Sequence, residues 1–289
     1  MADELEPGVA ARAHRSLDSL HAAIYFAPEA DEEFSAIGLK PGRMNYFASR
    51  SAPMGPVSAG VTVATFYNFS PSLIARSIPA AWSLASCKDI LAARVRVVDR
   101  VLRRLLGEDV LVGADVAEAA GLAREAAVGL SPDGRPLFAG HADLAWPDQP
   151  HIGLWHAITL LREYRGDGHI AALLDHELTG LEALITHTVT GAGFTEAAAK
   201  ATRGWSDDDW AAGVDRLRSR DLLDDAGLTG PGQELRAGIE ADTDRLGAAP
   251  WLRLGPERVA RLSELGGSLT KRAVAAGAFP SGVFARSRS

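Results

Sequence analysis

The sequence is poor in cysteine, since Cys87 is the only one among 289 residues. A single thiol excludes an internal disulfide framework and is typical of proteins kept in a reducing compartment. No stretch approaches the roughly 20 consecutive apolar residues that a transmembrane helix needs. The N-terminal segment, residues 1–14, is acidic and contains no apolar stretch of the kind found in secretory signals. We therefore expect a cytoplasmic protein without a membrane partner.

Positive charge is also scarce, with 30 lysines and arginines against 37 acidic residues and a net charge of −7. General nucleic-acid binders have a strongly basic surface, so this balance argues against such a partner. The sequence also lacks a nucleophile elbow, a phosphate-binding glycine loop, a dinucleotide fingerprint and zinc-ligand spacing. It therefore predicts no metal site and leaves the reaction type and any cofactor unknown.

Hydrophobic residues make up 47% of the chain, which is ample for a large core, and most of them recur at helical spacing. The clearest helix is predicted over residues 88–106. Two segments are predicted not to be helical. Met44–Val57 has the prolines and aromatics of a packed loop, and Arg135–Leu144 has the pattern of a short strand. We predict a mainly α fold with only short β segments.

Five of the eight histidines lie in one stretch, His151–Val189. Gly166 and Gly168 predict a break between two helices within it, because glycine permits a tight turn. Asp167, which lies between them, is then placed to cap the second helix. We expect three side chains to converge at this turn, where a helix N-terminus adds partial positive charge: Arg162, Arg165 and His169.

Three interpretations of this turn stay open. In the first, the two arginines form ordinary ion pairs with Glu163 and Asp167, and the histidines are unremarkable polar positions. In the second, the turn binds a carboxylate or phosphate, and His169 is the catalytic proton-transfer residue. The third makes His169 or His176 a metal or haem ligand, although the spacing of the two residues fits no metal motif.

The segment Met44–Val57 supplies further candidates from the facing side of the same site. Packed loops often carry binding residues, so Tyr46 and Arg50 are predicted to contact a ligand there. In the alternative interpretation, the aromatic side chains fill the core and Arg50 caps a helix.

The C-terminal third contains the run Arg216–Leu246, in which a Leu-Thr pair and a glycine precede a long helix. This run resembles the end of a MarR-type winged helix, and the resemblance covers roughly residues 180–247. Over most of its length the chain also resembles an uncharacterised actinobacterial helix-turn-helix family, sometimes labelled SalK-like. These resemblances imply a helix-turn-helix scaffold with short β wings and a homodimer formed through terminal helices, but no particular activity.

The start of the expected recognition helix departs from the pattern of a DNA reader. It carries three consecutive carboxylates, Asp207, Asp208 and Asp209. A winged helix places this end in the major groove, where the phosphate backbone would repel them. The expected wing at residues 224–227 is acidic and has no arginine at its tip. We therefore do not expect DNA binding through this element.

A loose similarity between residues 69–107 and 194–223 predicts two tandem helix-turn-helix lobes, 1–147 and 148–289. Clefts between lobes are common ligand sites. The favoured hypothesis is a protein that binds an anionic or cofactor-like small molecule between the lobes, with enzymatic activity left open and DNA binding lost. Two alternatives remain: a MarR-like transcription regulator that contacts DNA through the arginine-rich helix, and an interaction protein without chemistry.

Overall fold

The structure is a computed structural model that describes residues 8–191 and 193–280. This part of the chain is mainly helical. Its α-helices, in chain order, are α1 (Val9–Ala22), α2 (Pro28–Ala36), α3 (Arg43–Ser51), α4 (Ala59–Phe66), α5 (Pro71–Ala75), α6 (Cys87–Leu106), α7 (Glu108–Leu111), α8 (Ala114–Ala127), α9 (Pro136–Ala142), α10 (Pro150–Asp175), α11 (Gly180–Val189), α12 (Glu196–Arg203), α13 (Asp207–Ser219), α14 (Gly230–Leu246), α15 (Ala249–Leu254) and α16 (Pro256–Ala275). Short 3-10 segments lie at Ala23–Phe26, Ala52–Met54 and Ala80–Ser83. None of the described helices is both long enough and apolar enough to span a bilayer.

The buried hydrophobic residues form two cores. The first core is built by α1 to α9, the first half of α10, and the returning helices α15 and α16. The second core is built by the end of α10 and by α11 to α14. Helices on both sides of residue 147 contribute to the first core, so core packing does not follow the expected division into 1–147 and 148–289. That division stays a prediction.

Helix α6 follows directly from its sequence. The side chain of Ser86 caps it by accepting a hydrogen bond from the N–H of Asp89 at 3.1 Å. Ile90, Val97 and Val101 recur on one face and are fully buried in the first core. The helix predicted over residues 88–106 is confirmed to within one residue.

Helices α12 and α13 form a helix-turn-helix in the second core. Gly204, with a φ of 73°, ends α12 in the left-handed conformation that glycine adopts without strain. Ser206 and Asp209 form a reciprocal capping box that begins α13. Trp210 and Leu217 of α13 are buried in the second core. The three-residue connection matches the geometry of this motif.

Two of the expected local structures are wrong. The supposed packed loop Met44–Val57 begins with helix α3, because Met44 and Phe47 pack one helical face into the first core before Pro53 ends it. The supposed strand Arg135–Leu144 contains helix α9, which starts at Pro136, a residue favoured at the first helical position.

The expected break at Gly166 and Gly168 is also wrong, because α10 continues through both residues to Asp175. Gly168 does not form a turn but allows close packing against α10. A Cβ at this position would lie 2.9 Å from Nη1 of Arg135 and 3.1 Å from Cβ of Leu246. The absent side chain therefore lets Arg135 and α14 approach α10 closely.

The expected wing at residues 224–227 is reduced to the turn inside an isolated antiparallel bridge between Leu223 and Leu228. The turn between them is closed by Asp224, whose Oδ1 accepts hydrogen bonds from the N–H groups of Ala226 and Gly227 at 2.8 and 3.0 Å. No β-sheet forms within residues 8–191 and 193–280.

The contact between the two cores generates a stability prediction. At Gly180, the first residue of α11, a Cβ would lie 1.8 Å from the carbonyl oxygen of Tyr67, a backbone atom that cannot turn aside. We expect Gly180→Ala to lower the free energy of unfolding by about 1–3 kcal/mol through overpacking. Gly121→Ala in α8, where nothing lies within 4 Å of the added carbon, is the matched control and should raise stability by up to about 1 kcal/mol. Thermal unfolding followed by circular dichroism compares them, and equal melting temperatures would contradict the close contact.

Candidate functional site

A cavity of about 540 Å³ lies where α10 passes from the first core to the second. Helices α1, α3 and α10 supply one part of its wall, and α11, α14 and the end of α12 supply another. All six residues proposed from the sequence line it: Tyr46, Arg50, Arg162, Arg165, Asp167 and His169. The structure therefore brings the six together, although their roles stay predictions.

Arg50 is held in a buried chain of polar contacts. Its Nη2 donates to both carboxylate oxygens of Glu163 at 2.7 and 2.8 Å, and its Nη1 donates to the hydroxyl of Tyr46 at 2.7 Å. Despite burial, the carboxylate of Glu163 raises the pKa of Arg50 well above its usual value. Arg50 therefore fixes the wall of the cavity and does not cap a helix.

Arg162 and Arg165 also have acidic partners, but largely not the expected ones. The Nε of Arg162 donates to Asp18 of α1 at 2.7 Å, while Glu163 lies at 3.6 Å from its Nη1. Arg165 donates to Asp244 of α14 at 3.2 Å. The two arginines thus connect α10 to one helix of each core.

Asp167 does not cap a helix, because α10 is continuous at this point and the expected helix N-terminus does not exist. Its Oδ2 accepts a hydrogen bond from the backbone N–H of Phe138 at 2.9 Å. Burial raises the pKa of Asp167 to about 6, although this hydrogen bond works in the opposite direction. Asp167 therefore anchors α9 on α10 at the cavity wall.

The hydrogen bonds of His169 define its tautomer. The hydroxyl of Thr243 donates its single proton to the carbonyl of Ile239 at 2.7 Å, so it must accept from Nδ1–H of His169 at 2.8 Å. Nε2 of His169 is then the unprotonated nitrogen. Burial lowers the pKa of His169 to about 4, so the ring is neutral near pH 7 and Nε2 can accept a proton.

Arg203, the last residue of α12, is a cavity residue that the sequence analysis missed. Its guanidinium lies between the rings of Phe69 and Phe194, with Cζ 4.4 and 4.9 Å from the ring centres. Its Nε is buried without a hydrogen-bond partner. Burial lowers its pKa, and no carboxylate of the described chain pairs with it. The contact with Phe69 joins residues that lie far apart in the chain, so local sequence patterns carried no signal for it.

A separate cluster at the end of α10 has metal-ligand chemistry. Side-chain atoms of Asp175, His176 and Asp242 lie within 4.8 Å of one another. Asp242 is already hydrogen-bonded to Nε2 of His176 at 3.0 Å and to Arg245 at 2.9 Å. Because Arg245 supplies positive charge and Asp175 is exposed, the cluster carries no metal assignment.

The arginines of α6, the alternative DNA-binding surface, are engaged within the protein. Arg94 is buried, and the other four form ion pairs: Arg96 with Glu33, Arg100 with Glu32 and Glu33, Arg103 with Asp99, and Arg104 with Glu29. Since most of the acidic partners belong to α2, these arginines hold α2 against α6.

The two arginines of α13, the recognition-helix position, also have acidic partners within the protein. Arg216 donates to Glu182 at 3.0 Å, and Arg218 donates to Asp225 at 2.5 Å. One side of α13, at Asp209, Ala212 and Arg216, shares a groove with α4 of the first core. This side therefore faces another helix of the same protein.

The α12–α13 arrangement is that of a helix-turn-helix protein. The chain belongs to a helix-turn-helix family, whose model matches residues 10–280. The match covers nearly the whole described chain, so the family includes both cores as well as the motif itself. No curated protein and no solved structure matches the chain significantly.

Six histidines with lowered pKa values generate a pH prediction. Desolvation lowers the pKa of His14, His156 and His169 to about 4 and that of His141 to about 3, and it lowers the pKa of His21 and His187 as well. The unfolded chain therefore takes up protons below about pH 6.5 that the folded chain does not, so stability is lost as the pH falls from 6.5 towards 4. The raised pKa of Asp167 has the opposite effect on stability, but it is one group against six histidines.

We expect the free energy of unfolding, measured with urea between pH 7 and 4, to fall continuously over that range. His169→Asn removes one of the titrating groups and should make the decline shallower. A stability that stays constant from pH 6.5 to 4 would show that these histidines are solvated.

Proposed function

We propose that this helix-turn-helix protein binds an anionic small molecule in the cavity between its two cores. The observation that carries the proposal is Arg203, a guanidinium in the cavity wall that has no carboxylate partner within residues 8–191 and 193–280. Arg50, Arg162 and Arg165 already have carboxylate partners. A carboxylate or phosphate group on a ligand would supply the counter-ion that Arg203 lacks.

The aromatic side chains around Arg203 support an organic ligand over a bare ion. Phe69 and Phe194 flank the guanidinium, and the ring of Tyr46 lies 5.6 Å from that of Phe69. A guanidinium fixed between two rings is pre-oriented, so less side-chain entropy is lost when it binds an anion. The cavity of about 540 Å³ falls within the size range of small-molecule sites.

Within this proposal, His169 is the residue suited to proton transfer. Its ring is neutral, its Nδ1–H donates a hydrogen bond to the hydroxyl of Thr243, and its Nε2 is unprotonated. A bound anion would raise the pKa of the ring by favouring the imidazolium, so ligand binding would be accompanied by proton uptake. The geometry of the cavity does not identify a reaction. We therefore propose ligand binding, with His169 as the residue that accepts or donates a proton.

We also propose that α13 has lost DNA binding, although a helix-turn-helix family normally binds nucleic acid. Three carboxylates at the start of the helix oppose the approach of phosphates, and the arginines of α13 have partners within the protein. The wing is a single β-bridge. The alternative, a MarR-like regulator, rests on the family membership itself.

We also propose the two tandem lobes and the homodimer that the sequence predicts. The tandem arrangement is supported by two capped helices, α6 and α13, that each begin with a serine bonded to the third residue beyond it. The buried face of α16 is used inside the first core through Leu262, Leu265 and Leu269. A homodimer would therefore have to form through the outer face of this helix.

The anion site is tested by Arg203→Met, which removes the charge and keeps an apolar side chain between the two rings. A panel of carboxylates and phosphate esters is screened by thermal shift, and the hits are measured by calorimetry. We expect at least a tenfold loss of affinity, since a charge-assisted hydrogen bond contributes about 1.5–3 kcal/mol. Arg76→Met, at an exposed position outside the cavity, is the control and should bind normally. If no anion binds the unmodified protein, or if Arg203→Met binds equally well, the proposal is wrong.

The loss of DNA binding is tested by fluorescence anisotropy with genomic fragments at physiological salt. We expect no sequence-specific complex with the unmodified protein. The double change Asp207→Asn and Asp208→Asn removes two negative charges, so it should strengthen only weak, salt-sensitive binding. A sequence-specific complex that persists at physiological salt would support the regulator instead.

A further inference from the structure

A second cavity, of about 230 Å³, lies between α6, the first half of α10 and the segment 144–147. It shares no lining residue with the first cavity. Its walls are mainly apolar, and they include Leu91, Val98, Ile152 and Trp155. The volume lies below the usual range for sites of drug-sized ligands, so an occupant would be about the size of one ring or a short branched chain.

One wall of this cavity contains a buried cation, Arg94, which is 4% exposed. Its Nη1 donates to the carbonyl of Ser49 at 3.0 Å and to Nε2 of His141 at 2.9 Å. The Cζ atom lies 4.7 Å from the ring centre of Trp155. None of these partners is negatively charged, no ion pair of the described chain includes Arg94, and its Nε has no hydrogen-bond partner.

His156 lies in the same cavity wall and is 5% exposed. Its Nε2 is buried and also lacks a hydrogen-bond partner. A guanidinium keeps its charge inside a protein, and a buried charge without a counter-ion is costly. The cavity therefore combines an apolar wall, a cation without a direct ion-pair partner among the described residues, and a second polar group with unused hydrogen-bonding capacity.

We propose that this cavity binds a small monocarboxylate with an apolar body. The carboxylate supplies the counter-ion of Arg94 and accepts a hydrogen bond from its guanidinium, and the apolar body fills the space beside Val98, Ile152 and Trp155. A single cation in an apolar wall suits one negative charge, so phosphate esters and dicarboxylates are excluded. The site is independent of the anion site proposed in the first cavity.

The proposal is tested with benzoate and isovalerate as probes and with benzyl alcohol and isoamyl alcohol as their uncharged counterparts. Calorimetry should show at least about a tenfold preference for each acid over its alcohol, the factor expected for one charge-assisted hydrogen bond. The indole N–H resonance of Trp155, assigned with Trp155→Phe, should shift when benzoate binds. Equal binding of acid and alcohol, or no binding of either acid at about 10 mM, would overturn the proposal.

Variants show where the probe binds. Ala92 is an exposed residue at the cavity wall, so Ala92→Phe fills the entrance without disturbing Arg94. It should abolish benzoate binding, whereas Ala117→Phe, at an exposed position of α8 outside both cavities, should not. Arg94→Gln should lose the preference for the acid if the variant folds. Benzoate binding that survives Ala92→Phe but is lost in Arg203→Met would place the probe in the first cavity and overturn this assignment.

Discussion

The buried ion pair between Arg50 and Glu163 is the interaction on which the wall of the first cavity depends. It joins α3 to α10 at the point where α10 leaves the first core, and both side chains are almost completely buried. Removing either partner from such a pair leaves an uncompensated buried charge, which typically costs about 3–5 kcal/mol. The same pair holds Tyr46 in place through the second guanidinium nitrogen of Arg50. The ion pair therefore holds the wall of the first cavity together.

The sequence was informative where a pattern is local and misleading where a contact is distant. The helix over residues 88–106 and the capping serine of α13 could be recognised because their signals lie within a few positions. The sequence around Gly168 predicts a turn, because nothing in the neighbouring positions reveals that Arg135 and Leu246 approach this residue. The six site candidates line one cavity, yet the partners of Arg162 and Arg165, Asp18 and Asp244, lie far away in the chain and could not be inferred.

Charge neutralisation inside the protein explains how a helix-turn-helix family member can be acidic and still rich in arginine. The arginines of α6 hold α2 in place, and those of α13 bind acidic residues of the second core. An arginine that is paired with a carboxylate of the same protein must break that ion pair before it can neutralise a phosphate. Arg94 and Arg203 differ from these residues, because each lines a cavity and has no acidic partner in the part of the chain that the structure describes. Arginines with an acidic partner therefore hold the fold together, whereas those without one are candidates for binding a ligand.

The return of α16 to the first core affects the order in which the protein can fold during synthesis. The helix lies against α1, where the hydroxyl of Thr270 donates to the carbonyl of Ser16 at 2.9 Å and a Cβ on Gly266 would lie 2.3 Å from Leu17. Among the described helices, α1 leaves the ribosome first and α16 last. The second core, made of consecutive segments, can be completed while the chain is still growing. The apolar face of α1 that packs on α16 stays uncovered until α16 has been synthesised. This surface therefore needs protection from aggregation during translation.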